Sequence, residues 1–510
     1  MKRFCSLVLV FALVLPLAVV TTYSATGYEN GFDYERINSK TEARIVAYHG
    51  LGEELVIPET LGGLPVTEVA DSAIACQADT QVTTLSLPAS LRVFTANAIT
   101  GNTSLESITL AEGNTSFTLR DGVLYNASGS TLVLYPAKKA DTEFWMPFSV
   151  KTVGTAAFYA AKNLKSIHFS DKLETVESPT QTNFAGAFEN CTSLKEVSFS
   201  LSLKKIGDYA FMGCDSLEKL FIPYSLNKVK IGNGAFLNCP NLKRVDLYHN
   251  VESIGVEAFG FESRLNGAEL MQTTKVEGFE LCAVPGPGAE YASSCGLSFI
   301  KMRVTSNFMD DVLLIGSVNA LSESVVSGPA VTSLSSATYQ DVINRYFSTA
   351  TGNLGWNLAL SAKAGQSVPS ELSESVFWSL SASSLKNKRG DCFVFALNED
   401  GTFEYVPALV GLAPDTWGAE DYRICFGSDT LGEFFAVSHA VNPGELTGDE
   451  AVDISDLATL AQFVAGWDIQ VSYLNCDVDG NAVVDISDLA ALAQSIAGWD
   501  MELVGFGANV

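Results

Sequence analysis

Near the C-terminus, "DVDGNAVVDISD" (residues 477–488) gathers four aspartates in twelve residues, with no lysine or arginine among them. Oxygen-bearing side chains stand at positions 1, 3, 5, 9 and 12 of this stretch: Asp477, Asp479, Asn481, Asp485 and Asp488. Val483 falls at position 7, where a backbone carbonyl serves, and the apolar Val484 at position 8 can anchor the loop to a core. Carboxylates this close repel one another unless a positive charge neutralises them. The spacing suits a hard cation such as Ca2+, which takes about six to eight oxygen ligands. A second stretch, "ELTGDEAVDISD" (445–456), repeats the pattern with Glu445, Thr447, Asp449, Asp453 and Asp456, and with Ala451 at position 7. It holds fewer strong ligands. The expectation is two Ca2+ sites, the 445–456 site the weaker. A solvated acidic loop is the plainer reading of either stretch alone; the duplication favours the cation.

Each loop leads into a helical pattern. "VDISDLATLAQFVAGWD" (452–468) and "VDISDLAALAQSIAGWD" (484–500) match at 14 of 17 positions. Leu457, Leu460 and Val464 recur at i, i+3 and i+7, as do Leu489, Leu492 and Ile496, which predicts two short helices packed as a pair. Gly466 and Gly498 can end them. Trp467 and Trp499 are expected to pack between or beside the helices rather than bind sugar.

The duplicated unit, residues 442–503, resembles a type I dockerin, an all-α module of paired F-hand loop–helix motifs. The resemblance implies calcium-dependent docking onto the cohesin module of a scaffoldin in a cellulosome-like assembly. It places cohesin recognition at Ile454, Ser455, Ala461 and Gln462 and at Ile486, Ser487, Ala493 and Gln494. These positions are identical in the two copies, so docking in two orientations related by a half-turn is expected. The last ligand is Asp456 or Asp488 rather than the glutamate of sensor EF-hands, a feature dockerins share. Position 6, a glycine in EF-hands, is Glu450 or Ala482, which strains the turn.

The N-terminal half has another period. "AF" recurs at Phe158, Phe188, Phe211, Phe236 and Phe259, at spacings of 30, 23, 25 and 23. A turn and an alternating stretch follow each: "NLKSIHFS", "SLKEVSFS", "SLEKLFIP", "NLKRVDLY". One such unit cannot bury its apolar face, but stacked neighbours can, which predicts a solenoid. Cys191, Cys214 and Cys239 each stand three residues after the phenylalanine and read as a small, buried ladder position. These repeats resemble BspA-like leucine-rich repeats of secreted and surface bacterial proteins, over about residues 26–303. "RDGVLYNASGSTLVLYPAKK" (120–139) looks like that family's hairpin insertion. Lys165, Lys195 and Lys243 could form an interrupted basic row on the outward face, which is either solvated or binds a polysaccharide or host protein.

Residues 1–25 read as a secretory signal peptide: Lys2 and Arg3, then an apolar run, then small and polar residues. Residues 304–441 alternate apolar and polar positions, with "NEDG" (398–401) as a hairpin turn, and suit a β-sandwich-like module. Cys392 and Cys425 could pair there. The net charge of −27 excludes nucleic acid as a partner. From Lys301 onward there are eight basic and 27 acidic residues, and after Arg423 no lysine or arginine at all. The four histidines match no nucleophile or metal motif. The sequence therefore reads as a secreted, non-catalytic, multidomain protein: a β-rich repeat solenoid, a β-sandwich-like module, a dockerin and a tail (504–510). The alternatives are a polysaccharide-degrading enzyme with a site in 304–441 and a host-directed surface adhesin.

Overall fold

The computed structural model describes residues 27–503 except 51, 75–81, 171, 180–184, 223–227, 248–250, 267–269, 308–311, 318–319, 322–325, 348–349, 351, 365, 368–371, 373–375, 386–390, 407, 415–419, 440–442, 445, 448–451, 468, 470 and 498–502. The expected signal segment and tail lie outside these residues. The chain divides into two compact units, the change falling between Ile300 and Lys301.

In the first unit the repeats stack as rungs. The alternating stretches form short parallel strands at Glu143–Trp145, Ser166–His168, Glu196–Ser198, Lys219–Phe221, Arg244–Leu247 and Glu280–Ala283. A second parallel sheet, unforeseen in the sequence, runs through Thr131–Leu134, Thr152–Val153, Thr175–Val176, Lys205–Ile206, Val229–Ile231 and Val251–Ile254. Its strands are two to four residues long, too short for alternation to register. The glycines that follow them gave a usable signal. A Cβ on Gly207 would lie 2.2 Å from the Glu177 carbonyl oxygen, and one on Gly232 2.4 Å from the Asp208 nitrogen. Backbones approach too closely there for any side chain.

The "AF" turns make the third wall. Phe188 N donates to Ala210 O (2.7 Å) and Phe211 N to Ala235 O (2.7 Å), so turns as well as strands are bonded rung to rung. The rings of Phe158, Phe188, Phe211, Phe236 and Phe259 stack with centroids 4.6–5.0 Å apart. Helix α1 (Pro287–Cys295) closes the stack. The Tyr291 hydroxyl accepts from Phe259 N (3.0 Å) and donates to Phe259 O (2.9 Å), filling the place of a further rung. Cys191, Cys214 and Cys239 are buried as expected, and each thiol also donates to the carbonyl of an earlier rung, on Phe158, Phe188 and Phe211. Burial pushes the Cys191 and Cys239 thiols up to about 12, so they remain protonated and inert.

Two antiparallel groups of five strands each follow. One comprises Ser298–Asn307, Val312–Ser317, Val376–Ser381, Glu420–Ser428 and Leu409–Pro414. The other comprises Val326–Ser333, Gly352–Ala362, Gly432–His439, Asp391–Leu397 and Phe403–Val406. Trp356, Trp378, Phe426 and Phe434 fill the space between them. "NEDG" turns the chain between Leu397 and Phe403, which pair. Cys392 and Cys425 are not joined. They lie on different sheets, and the Cys425 thiol donates to Ser379 Oγ at 3.4 Å.

The sequence reading missed helix α2 (Ala337–Tyr346). Ser336 caps it, accepting from Tyr339 N. Its apolar spacing, Tyr339, Val342, Ile343 and Tyr346, was the available signal. The helix lies on the outer face of the second sheet, against Phe393, Phe395, Phe435 and Val437. "CFVFAL" is therefore apolar throughout because both of its faces are buried.

Three further helices follow: α3 (Ile454–Val464), α4 (Tyr473–Cys476) and α5 (Ile486–Ile496). Helices α3 and α5 share a core in which Leu460 and Leu492 are fully buried. Helix α3 ends as expected: Gly466 adopts φ +79°, and Trp467 N donates back to Gln462 O.

Phe211→Ala removes a ring from the middle of the stack and should cost about 3–5 kcal/mol, read as a lower urea midpoint for the repeat unit. Glu189 offers a pH test. Burial raises its carboxyl from 4.5 to about 7, although it accepts from Gly186 N. The folded chain thus holds that proton more tightly than the unfolded chain, and stability is lost as pH rises from about 4.5 through 7. Glu189→Gln should equal the parent near pH 4 and exceed it at pH 8 by about 1–3 kcal/mol, measured as the difference in urea midpoints.

Candidate functional site

The two acidic loops are tied to their helices in the same way. Asp488 accepts from Val478 N (2.8 Å) and Asp479 N (3.2 Å) through one oxygen, and from Asp485 N (2.9 Å) through the other. Thirty-two residues earlier, Asp456 accepts from Leu446 N (2.7 Å), Thr447 N (3.0 Å) and Asp453 N (2.9 Å). Asp453 and Asp485 each cap their helix by accepting from the backbone of Ser455 and Ser487. These bonds close a capping box at each helix start and hold Asp456 and Asp488 fully buried.

In the second loop, ligand oxygens of Asp477, Asp479 and Asp488 lie within 4.8 Å of one another. Asp477 is itself buried, with Gly480 N, Asn481 N and Ala482 N donating to it. Burial raises the Asp488 carboxyl above its ordinary value, and the charge of Asp479 adds to this. Asp485 is exposed and held low by the Ser487 backbone and hydroxyl. It stands at position 9, whose contact with a cation often runs through water. Asn481 accepts from Val483 N, which fixes the turn that carries the Val483 carbonyl. An all-oxygen set at positions 1, 3, 5, 7, 9 and 12 fits Ca2+, and a cation there would offset the crowding of the three carboxylates. In the first loop the structure places Thr447, Asp453 and Asp456; Glu445, Asp449 and Ala451 lie outside the described residues.

Ala482, at position 6, has φ +62°, the left-handed conformation a glycine would adopt freely. The strain read from the sequence is present at that residue.

The residues assigned to partner recognition sort into two kinds. Ile454 and Ile486 are 67% and 68% exposed, twin apolar side chains in water at the starts of α3 and α5. Ser455 and Ser487 are exposed but tied inward: Ser487 donates to Asp479 (2.6 Å) and Asp485 (2.7 Å), and Ser455 to Asp453. Ala461, Gln462, Ala493 and Gln494 are partly buried on the helices. Trp467 corrects the sequence reading. It is 60% exposed rather than packed beside the helices, because the turn at Gly466 carries its indole out of the helix pair. Trp499 lies outside the described residues.

On the repeat unit, Lys165, Lys195 and Lys243 are exposed and lie just before their strands, with Glu218 interrupting the row. The next in-register row is Glu143, Ser166, Glu196, Lys219 and Arg244, and Lys219 pairs with Glu196. The face is therefore mixed in charge, not basic. The sequence reading missed an aromatic end to it. Trp145 stacks on His168 at 3.6 Å, and Phe148, 60% exposed, carries the Lys172 ammonium over its ring. Burial lowers His168 to about 4, so that stack is uncharged at neutral pH.

Residues 134–184 and 180–280 match the family model described as the BspA type leucine rich repeat region, in six copies. The match falls within the stacked segment. Its BspA-type rungs are those whose phenylalanines, cysteines and paired parallel strands are described above. Proteins of this type are typically secreted or surface-borne. No curated protein matches the chain. Among solved structures, the pneumococcal vaccine antigen PcpA is similar at 22% identity, with a TM-score of 0.37, over 47% of this chain and 60% of its own. A leucine rich cell surface protein from Faecalibacterium prausnitzii A2-165 is similar at 18% identity, with a TM-score of 0.26, over 48% of this chain and 96% of its own. A leucine rich repeat protein of T. pallidum is similar at 24% identity, with a TM-score of 0.25, over 45% of this chain and 85% of its own. The chain spans 60% of the length of PcpA.

Proposed function

We propose that this chain is a non-catalytic binding protein held in a larger extracellular assembly by its C-terminal loop–helix pair. The BspA-type repeats supply a ligand face for a polysaccharide or a protein. The pair binds two Ca2+ ions, more weakly at 445–456, and docks as a dockerin onto a cohesin module of a scaffoldin.

One observation carries this reading: the hydrogen bonds around Asp488 recur, donor for donor, around Asp456. A solvated acidic loop needs no such duplication. A symmetric docking module does, since each half must present the same contacts. Ile454 and Ile486 support the partner assignment. Apolar side chains this exposed, at matching places in both halves, gain from being covered.

The test is a pull-down of the full chain on a panel of immobilised cohesins, with Ca2+ or with EGTA. Retention in Ca2+ and release in EGTA are expected. Ile454→Asp or Ile486→Asp alone should weaken retention about tenfold or less, because the other half can still dock; the double variant should lose it, a cost of about 2–4 kcal/mol for buried anchors. Failure to bind any cohesin in Ca2+ would refute the docking role.

A further inference from the structure

We propose that the C-terminal pair is fused to the β-sandwich through an aromatic contact, so that cation occupancy of the 477–488 loop stabilises the sandwich as well as the loop. This rests on the reading of that loop as a Ca2+ site.

The contact comes from four places in the C-terminal module. Phe463 of α3 meets Tyr346 at 6.0 Å and Tyr473 at 6.2 Å, edge to face. Tyr473 of α4 lies 5.0 Å from Phe403 and 6.0 Å from Phe347. Leu474 is fully buried in the same cluster, and Ala482, within the acidic loop itself, packs against it. On the sandwich side, Phe347 lies 5.2 Å from Phe395 and 5.4 Å from Phe435, so the cluster reaches the second sheet through the residues that seat α2. Aromatic pairs in these geometries attract beyond the area they bury.

Two details tie the contact to the loop. Ala482 N donates to Asp477 Oδ2 at 2.8 Å, so the residue whose methyl packs on the cluster also helps position the first ligand. That contact also gives a reason for alanine in a left-handed position: a glycine would present no methyl. The duplication breaks at the same surface. Among the three positions where the 17-residue copies differ, the largest change is Phe463 against Ser495. The copy that meets the aromatic cluster carries the ring, and the other copy carries a hydroxyl. A free docking tail has no use for that asymmetry; a module seated on one neighbour does.

The test is hydrogen exchange by mass spectrometry on the full chain, in Ca2+ and in EGTA. Peptides covering 391–406 and 337–346 should exchange about tenfold or more slowly with Ca2+, as expected when a ligand stabilises a cooperative unit. Peptides around Phe211 in the repeat unit should not respond. Phe463→Ser, which gives the first copy the residue of the second, should leave Ca2+ protection of 477–488 intact and remove it from the sandwich; Tyr346→Ala, on the sandwich side, should do the same. Protection confined to the loops and α3–α5, or sandwich protection undiminished in both variants, would overturn the coupling while leaving the Ca2+ site standing. No protection at 477–488 would overturn both.

Discussion

A repeat of 23 to 30 residues has too little apolar surface to form its own core, and the first unit is arranged around that shortage. Each rung stacks its phenylalanine on the ring of the next, and three of them also bury a thiol against an earlier rung's carbonyl. A rung thus has little stability apart from its neighbours, and the last one needs a cap. Tyr291 supplies it by stacking edge-on to Phe259 and bonding both of its free backbone groups. The outward strand positions are left unconstrained by the core. That is why the rungs can carry Trp145, His168, Phe221 or Asp246 at one register position.

The same dependence on a neighbour returns at the C-terminus in electrostatic form. Beyond Arg423 the chain has no lysine or arginine to set against its aspartates. Backbone N–H groups orient Asp456, Asp477 and Asp488, but they leave the mutual repulsion of the carboxylates only partly offset. Burial makes this worse at Asp488, where the carboxyl is pushed up. In the reading proposed above, a bound cation supplies the missing positive charge, and the loop would loosen without it.

The sequence conveyed what has a period. The phenylalanine ladder, the cysteine positions, the helix pair with Leu460 and Leu492, and the "NEDG" hairpin are all patterns that repeat or alternate over several residues. Features without such a pattern were lost. The second solenoid sheet has strands as short as two residues, and its trace was the set of glycines at close backbone approaches. Helix α2 is masked in the sequence because its ten residues sit between strands. Of the site, positions 1, 3 and 12 of the second loop were legible as a cluster, but the exposure of Trp467 and the inward ties of Ser487 were not. Spacing tells which residues are near; it does not tell which atoms are already bonded.

The duplicated acidic loops are proposed to be metal sites. The direct measurement is calorimetric titration of the full chain with Ca2+ after treatment with EGTA, alongside the Asp477→Ala and Asp488→Ala variants. Two ions per chain with unequal affinities are expected, the tighter one lost in both variants. No heat of binding, or binding unchanged when either aspartate is removed, would contradict it.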